Sequence, residues 1–101
     1  TLPPSLFTSQ QLSSLNLAYN RFSGTLPSEI GTGNFENIEL QENEIEGTIP
    51  PEIANNPLLH VIDLSSNLFS GSLPENLGSL SLLHDFSVAE NMLTGEVPAS
   101  L

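Results

Sequence analysis

Two histidines lie 24 residues apart in related segments of the sequence, LLHVIDL with His60 and LLHDFSV with His84. Glu36, Asp63 and Asp85 belong to the same pattern, and imidazole and carboxylate groups are both ligands of divalent metals. The opposing interpretation is a pair of exposed histidines among solvated acids. We predict no metal, because nothing in the sequence fixes a coordination geometry around these groups.

A serine, a histidine and an aspartate, Ser87, His84 and Asp63, also have the residue types of a nucleophilic triad. Such chemistry needs a cleft and donors for an oxyanion in addition to the three side chains. The elements that carry these residues therefore decide what they can do.

Those elements belong to a repeat. Asn20, Asn43, Asn67 and Asn91 are spaced by 23, 24 and 24 residues, within an apolar frame that reads LxxLxLxxN. Glycines and prolines keep the same spacing: Gly24, Gly47, Gly71 and Gly95, and Pro27, Pro50, Pro74 and Pro98. A unit of about 24 residues cannot bury its apolar side alone, so successive units must stack into a solenoid.

Each unit contains two local patterns. Leu15-Asn16-Leu17 and its equivalents alternate apolar and polar residues, which predicts a short half-buried strand. The Pro-x-x-[Ile/Leu] segment predicts a single 3₁₀ or short α-helical turn, since proline suits the first helical position. Equivalent strands of stacked units then pair in parallel at about 4.8 Å.

The repeated asparagine falls where the chain leaves the strand. Backbone groups there face inward without a ladder partner, and a buried unpaired group costs about 1–3 kcal/mol. The asparagine side chain supplies both donors and an acceptor. We therefore predict a structural ladder that bonds the backbone of each coil and its neighbour: Asn20, Asn43, Asn67 and Asn91.

The run LxxLxLxxNxFSGxLPxxIG resembles the plant-type leucine-rich repeat. The resemblance implies an α/β repeat solenoid: a right-handed superhelix with short parallel strands on its concave side, 3₁₀ or short helical turns opposite, and a second small sheet. We predict one domain over 1–101, with the tail of a preceding repeat at 1–11, repeats at 12–34, 35–58 and 59–82, and an incomplete repeat at 83–101.

The chain departs from this family in three ways. It has no cysteine, whereas family members usually carry cysteine-containing caps. It begins and ends within a repeat, so we interpret it as an internal fragment whose uncapped ends favour self-association. One unit is a residue short between Ile30 and Phe35, where we expect a tighter turn.

The variable positions of LxxLxLxx point outward and form columns across the predicted strands. Asn16, Glu39, Asp63 and Ser87 make one column, and Glu36, His60 and His84 make another. Six of the twelve acids lie on this concave face. We predict that its ligand-binding residues are Tyr19, Glu36, Glu39, Glu42, His60, Asp63, His84, Asp85 and Glu90.

Two interpretations of this acidic face stay open. Carboxylates stacked about 5 Å apart repel each other, and their presence suits a cationic partner. Alternatively, water and salt screen them and they serve solubility, in which case the repeats are structural spacers without ligand contact. A regular shallow sheet offers no evident cleft or oxyanion hole, so we predict no enzyme and no cofactor in this sequence, although a kinase domain could lie elsewhere in a longer parent chain.

Twelve acids and a single base give a net charge of −11. Nucleic-acid binding needs Lys and Arg to displace counterions from phosphates, so we predict no nucleic-acid partner and no direct contact with an anionic membrane. We predict instead a protein or peptide partner of basic character, bound by part of a receptor-like or inhibitor-like ectodomain. An extracellular or cell-surface location follows from the family resemblance alone.

Overall fold

The computed structural model describes residues 13–31 and 35–93. These residues wind into successive coils, each with two short strands, and 3₁₀ helices follow the second strand of the first three coils. The strands are β1 (Ser14–Asn16), β2 (Ser23–Thr25), β3 (Asn37–Glu39), β4 (Glu44–Gly47), β5 (Val61–Asp63), β6 (Leu68–Gly71), β7 (Asp85–Ser87) and β8 (Met92–Leu93). The 3₁₀ helices are Ser28–Gly31, Pro51–Asn55 and Glu75–Ser79.

The first strands of the coils form one parallel sheet in the order β1-β3-β5-β7. Repeat-equivalent residues are paired across it, so that Leu15, Ile38, Ile62 and Phe86 form a row. The middle residue of β1, β3 and β5 is buried, whereas its neighbours on each side are more exposed. The predicted α/β solenoid with stacked parallel strands is therefore confirmed.

The core runs the length of the solenoid between the strands and the 3₁₀ helices. Its wholly buried members repeat from coil to coil: Ile30, Ile53 and Leu77 from the helices, Leu40 and Leu64 after the strands, and Ile45 and Phe69 from the second sheet. Because each coil supplies only one layer of this core, every coil depends on the neighbouring coils for burial.

The second strands form another parallel sheet, in the order β2-β4-β6-β8. Its register differs from that of the first sheet, in which equivalent residues of the repeat are paired. Gly24 is paired with Ile45, and Gly47 with Phe69. Each partner lies two residues before the equivalent glycine of the next coil. The family resemblance implied this second sheet but not the offset. Three of the repeated glycines have positive φ: Gly24, Gly47 and Gly71.

We expect Gly47→Ala to lower the free energy of unfolding by about 1–3 kcal/mol, as judged by chemical denaturation. Gly47 has a φ of +85°, which disfavours any residue with a Cβ, and a Cβ built there lies 2.9 Å from the Thr25 methyl carbon. The double variant with Thr25→Ser removes that methyl group and should recover part of the loss. No recovery would show that backbone strain alone determines the effect.

The 3₁₀ helices begin one residue after the repeated proline, whereas the sequence pattern predicted the proline at the first helical position. Pro50 and Pro74 are the residues before their helices, in an extended conformation, and Pro51 takes the first helical position. The carbonyls of Pro50 and Pro74 accept hydrogen bonds from Ile53 and Leu77. Each proline therefore supplies the acceptor that closes the first turn, a role for which its missing N–H is irrelevant.

Some predictions concern parts of the chain outside the described residues. The fourth helical turn at Pro98, the preceding repeat tail at 1–11, the ends proposed to self-associate and most of the shortened segment between Ile30 and Phe35 are among them. Across residues 13–31 and 35–93, no helix is long and apolar enough to cross a membrane.

Candidate ligand-binding face

We use the term strand face for the outward side of the first sheet and the residues that flank its strands, in five columns. The columns are Ser13, Glu36, His60 and His84; Ser14, Asn37, Val61 and Asp85; Asn16, Glu39, Asp63 and Ser87; Ala18, Gln41, Ser65 and Ala89; and Tyr19, Glu42, Ser66 and Glu90. All nine residues predicted to bind a ligand lie on this face.

The central acidic pair of the strand face is Glu39 and Asp63, which are direct partners on β3 and β5. Both side chains are partly exposed. Asp63 is also bonded locally, because its Oδ1 accepts hydrogen bonds from the Ser65 N–H at 3.1 Å and the Ser65 hydroxyl at 2.6 Å. One carboxylate of the pair is therefore fixed by its own coil.

The same local bond occurs in the first coil of this column. Asn16 Oδ1 accepts a hydrogen bond from the Ala18 N–H at 3.1 Å. Asn and Asp at this position therefore accept a hydrogen bond from the N–H two residues later, which fixes the backbone that follows the strand. The sequence pattern predicted Asp63 only as a ligand-binding residue and did not indicate this second role.

The histidine column forms one edge of the strand face. The rings of His60 and His84 meet edge-to-face, with centroids 5.8 Å apart and an interplanar angle of 69°. Backbone hydrogen bonds between the strands hold both residues in place. His84 donates its N–H to the His60 carbonyl at 3.0 Å, and His60 donates its N–H to the Glu36 backbone carbonyl at 2.7 Å. Side-chain rotation is the main freedom that remains to the pair.

The opposite edge of the strand face has an unusual backbone. Its four residues, Tyr19, Glu42, Ser66 and Glu90, have φ between 56° and 61° although none is glycine. The asparagine that follows each of them stabilises the turn: the Asn43 amide, for example, donates hydrogen bonds to the carbonyls of Leu40 and Gln41. The strained position also projects Tyr19, whose surface is 76% exposed.

The repeated asparagines join neighbouring coils. Asn43 donates to the Leu17 carbonyl of the coil before it at 2.9 Å, and its oxygen accepts the Phe22 N–H at 3.1 Å. Asn67 and Asn91 make the same two kinds of bond to their own preceding coils. These bonds hold the turn at which each strand ends.

Asn20 is more exposed than the other three. It is exposed, and its amide donates hydrogen bonds to the carbonyls of Leu17 and Ala18 in its own coil, at 3.0 and 3.1 Å. The chain before this coil, residues 1–12, lies outside the described part of the protein.

A further asparagine, Asn56, makes an equivalent link on the opposite side of the solenoid. Asn56 is fully buried, donates to the carbonyls of Ile30 and Ile53 at 2.9 and 3.0 Å, and accepts the Phe35 N–H at 3.3 Å. Leu80 takes the corresponding place in the next coil. The signal for this role in the sequence is an asparagine where the next coil has a leucine, and Asn56 was not among the predicted ladder residues.

One polar atom near the acidic pair lacks a partner. Gln41 Oε1 is buried and accepts no hydrogen bond within the described residues. Gln41 lies between Glu39 and Glu42 in sequence and is a neighbour of Ser65 across the sheet. This oxygen is a hydrogen-bond acceptor that the described part of the protein leaves unused.

Asp63 and Ser87 are direct partners on β5 and β7 and share one column of the strand face, whereas His84 lies in the histidine column at its edge. Within residues 13–31 and 35–93, no group of three or more His, Cys, Asp or Glu side chains is arranged around a single metal position. The arrangement therefore presents polar and acidic groups in rows, which suits contact with an extended partner better than chemistry at one point.

The comparison with protein families agrees with this architecture. A family model described as Leucine Rich Repeat matches residues 11–32, 34–56 and 58–80. These segments make up more than half of the chain, so the protein belongs to the leucine-rich-repeat family. This fold is a non-enzymatic binding module. A comparison with curated proteins gave no match.

Solved structures of plant receptors are similar to the chain. In the complex of BIR3 and SERK2 from Arabidopsis thaliana, the similar chain is 36% identical with a TM-score of 0.91, over 99% of this chain and 54% of that one. The plant peptide hormone receptor RGFR1 in complex with RGF2 is 39% identical with a TM-score of 0.91, over 95% of this chain and 16% of that one.

A third structure, PEPR1 with AtPEP1, is 33% identical with a TM-score of 0.95, over 98% of this chain and 14% of that one. The chain thus spans between 14% and 54% of these proteins. The plant-type leucine-rich-repeat fold is shared, and the activities of the whole receptors belong to much longer chains.

Proposed function

We propose that the strand face binds a cationic segment of a protein or peptide, as part of a receptor-like or inhibitor-like ectodomain. The pairing of Glu39 with Asp63 on adjacent strands carries this proposal. Like charges directly opposite each other destabilise a sheet, and the chain's single Lys or Arg residue, Arg21, follows Asn20 beyond the end of β1. A partner that brings positive charge between the two carboxylates would relieve their repulsion.

Other features of the strand face support the same partner. Glu36, Glu42, Asp85 and Glu90 surround the central pair with further negative charge. Tyr19 adds a large exposed ring at one edge, and tyrosine is often a strong contact residue in interfaces.

The similar structures support a peptide or protein partner in general. RGFR1 is a peptide hormone receptor in complex with RGF2, HAESA was solved with an IDA peptide hormone ligand, and BIR3 forms a complex with SERK2. Since HAESA and BIR2 were solved as ectodomains, we also propose that this chain works outside the cell.

The test uses two short peptides of equal length, one of lysine, glycine and serine, and one with glutamate in place of lysine. We expect only the lysine peptide, and not the glutamate peptide, to bind, and we expect its affinity to fall as salt is added. Glu39→Gln and Asp63→Asn should each reduce affinity about two- to fivefold, the size of one solvent-exposed ion pair. Asn at position 63 still provides an oxygen for the bonds from Ser65.

The matched control is Glu46→Gln, which removes the same charge from an exposed residue of the second sheet. It should leave the affinity unchanged. An equal loss in all three variants would mean that only net charge attracts the peptide, and the absence of any binding would favour the structural-spacer alternative.

A further inference from the structure

We propose that His60 and His84 together bind one divalent transition-metal ion at the edge of the strand face. This inference does not depend on the proposed peptide partner. It starts from the ring geometry, which the sequence pattern alone did not give.

The distance between the two rings suits a shared ion. An imidazole nitrogen binds zinc at about 2.0–2.1 Å, so the centres of two rings on one ion are at most about 6.5 Å apart. The observed separation is 5.8 Å. Rotation of the two side chains from their edge-to-face contact brings one nitrogen of each ring towards the same point, without any movement of the main chain.

The backbone keeps the two residues together before any metal arrives. The His60 carbonyl accepts hydrogen bonds from the N–H groups of both His84 and Asp85, at 3.0 and 3.2 Å. Because this parallel ladder fixes the spacing of the Cα atoms, a metal ion would cost the protein only side-chain freedom. The pair is in this sense preorganised for chelation.

The donor atoms determine which metal ions the pair prefers. Two imidazoles favour Zn²⁺, Cu²⁺ and Ni²⁺ over Mg²⁺ and Ca²⁺, which prefer oxygen. His84 is exposed and His60 is partly exposed, so water can complete the coordination. No third protein ligand is in place within residues 13–31 and 35–93, and the site is therefore an open one, weaker than a structural zinc site with four ligands.

The test is a titration of Zn²⁺ into the intact 101-residue chain in the presence of excess Mg²⁺, which occupies the scattered carboxylates. The ring resonances of both histidines are followed by NMR. We expect both to shift along one saturation curve that ends at one ion per chain. His60→Ala and His84→Ala should each weaken binding at least about tenfold, because a single imidazole then remains.

Glu46→Gln is the matched control, since it alters the net charge on the second sheet and keeps both imidazoles. It should bind Zn²⁺ as the parent chain does, and circular dichroism of all three variants verifies the fold. The proposal is overturned if only one histidine responds, if Mg²⁺ abolishes the response, if one ion joins two chains, or if the histidine variants bind as well as the parent chain.

Discussion

Replacing Asn67 by alanine is expected to lower the free energy of unfolding by about 3–5 kcal/mol, because several buried backbone groups lose their partner at once. The side chain is only 5% exposed. Its amide donates to the carbonyls of Leu40, Leu64 and Ser65, at 2.9, 3.2 and 3.1 Å. Its oxygen accepts the N–H of Ile45, which is also buried, at 3.1 Å.

Urea denaturation followed by circular dichroism measures this loss, with Asn20→Ala as the matched control. Asn20 is exposed, and among the described residues its bonds are to carbonyls of its own coil, so its replacement should cost about 1 kcal/mol or less. Similar losses at the two positions would mean that the links between coils contribute little, and that burial of the apolar residues alone holds the coils together.

The second large effect is expected for Asn56→Leu, which should destabilise the protein by about 2–3 kcal/mol although it introduces a larger apolar side chain. Leucine is the residue at the equivalent position of the next coil, Leu80. In this coil, however, the Ile30 and Ile53 carbonyls receive their hydrogen bonds from the Asn56 amide. Leucine can fill the space but cannot replace those donors.

The neighbouring residue gives the control for this experiment. Asn55 is exposed at the end of its 3₁₀ helix, so Asn55→Leu should change the free energy of unfolding by no more than about 0.5 kcal/mol. If Asn56→Leu instead stabilised the chain, the repeat consensus would outweigh the local hydrogen bonds, and the assigned role of Asn56 would be wrong.

The architecture could be predicted from the sequence because each coil repeats the same physical requirement. The apolar residues equivalent to Ile38 must be covered by the next coil, and the turn after each strand needs a side chain with donors and an acceptor. Four nearly identical segments express these two requirements in register. Parallel pairing and the row from Leu15 to Phe86 follow directly.

Other features could not be predicted because they depend on contacts that occur once. Asn56 stands where the next coil has Leu80, and only the structure shows which carbonyls it reaches. The offset of the second sheet arises from how consecutive coils lie on each other, which no single coil specifies. The relative tilt of the His60 and His84 rings likewise follows from side-chain torsions that the repeat leaves free.

For the candidate site, the repeat pattern located the columns but did not distinguish their members. Glu39 and Asp63 looked equivalent, whereas Asp63 also supports its own turn through Ser65. The positive φ of Tyr19 and its equivalents was not anticipated either, because residues other than glycine seldom adopt it. The asparagine that follows each of these residues supplies the local hydrogen bonds that make this conformation acceptable.

The asparagine links have a direction. Among the described residues, Asn43, Asn67 and Asn91 bond to carbonyl and N–H groups of the preceding coil and to carbonyls of their own coil. As the ribosome releases the chain from its amino end, each new amide therefore meets partners that have already been synthesised. These links can therefore form during translation as soon as each coil is made, whereas burial of the apolar residues of that coil waits for the coil that follows.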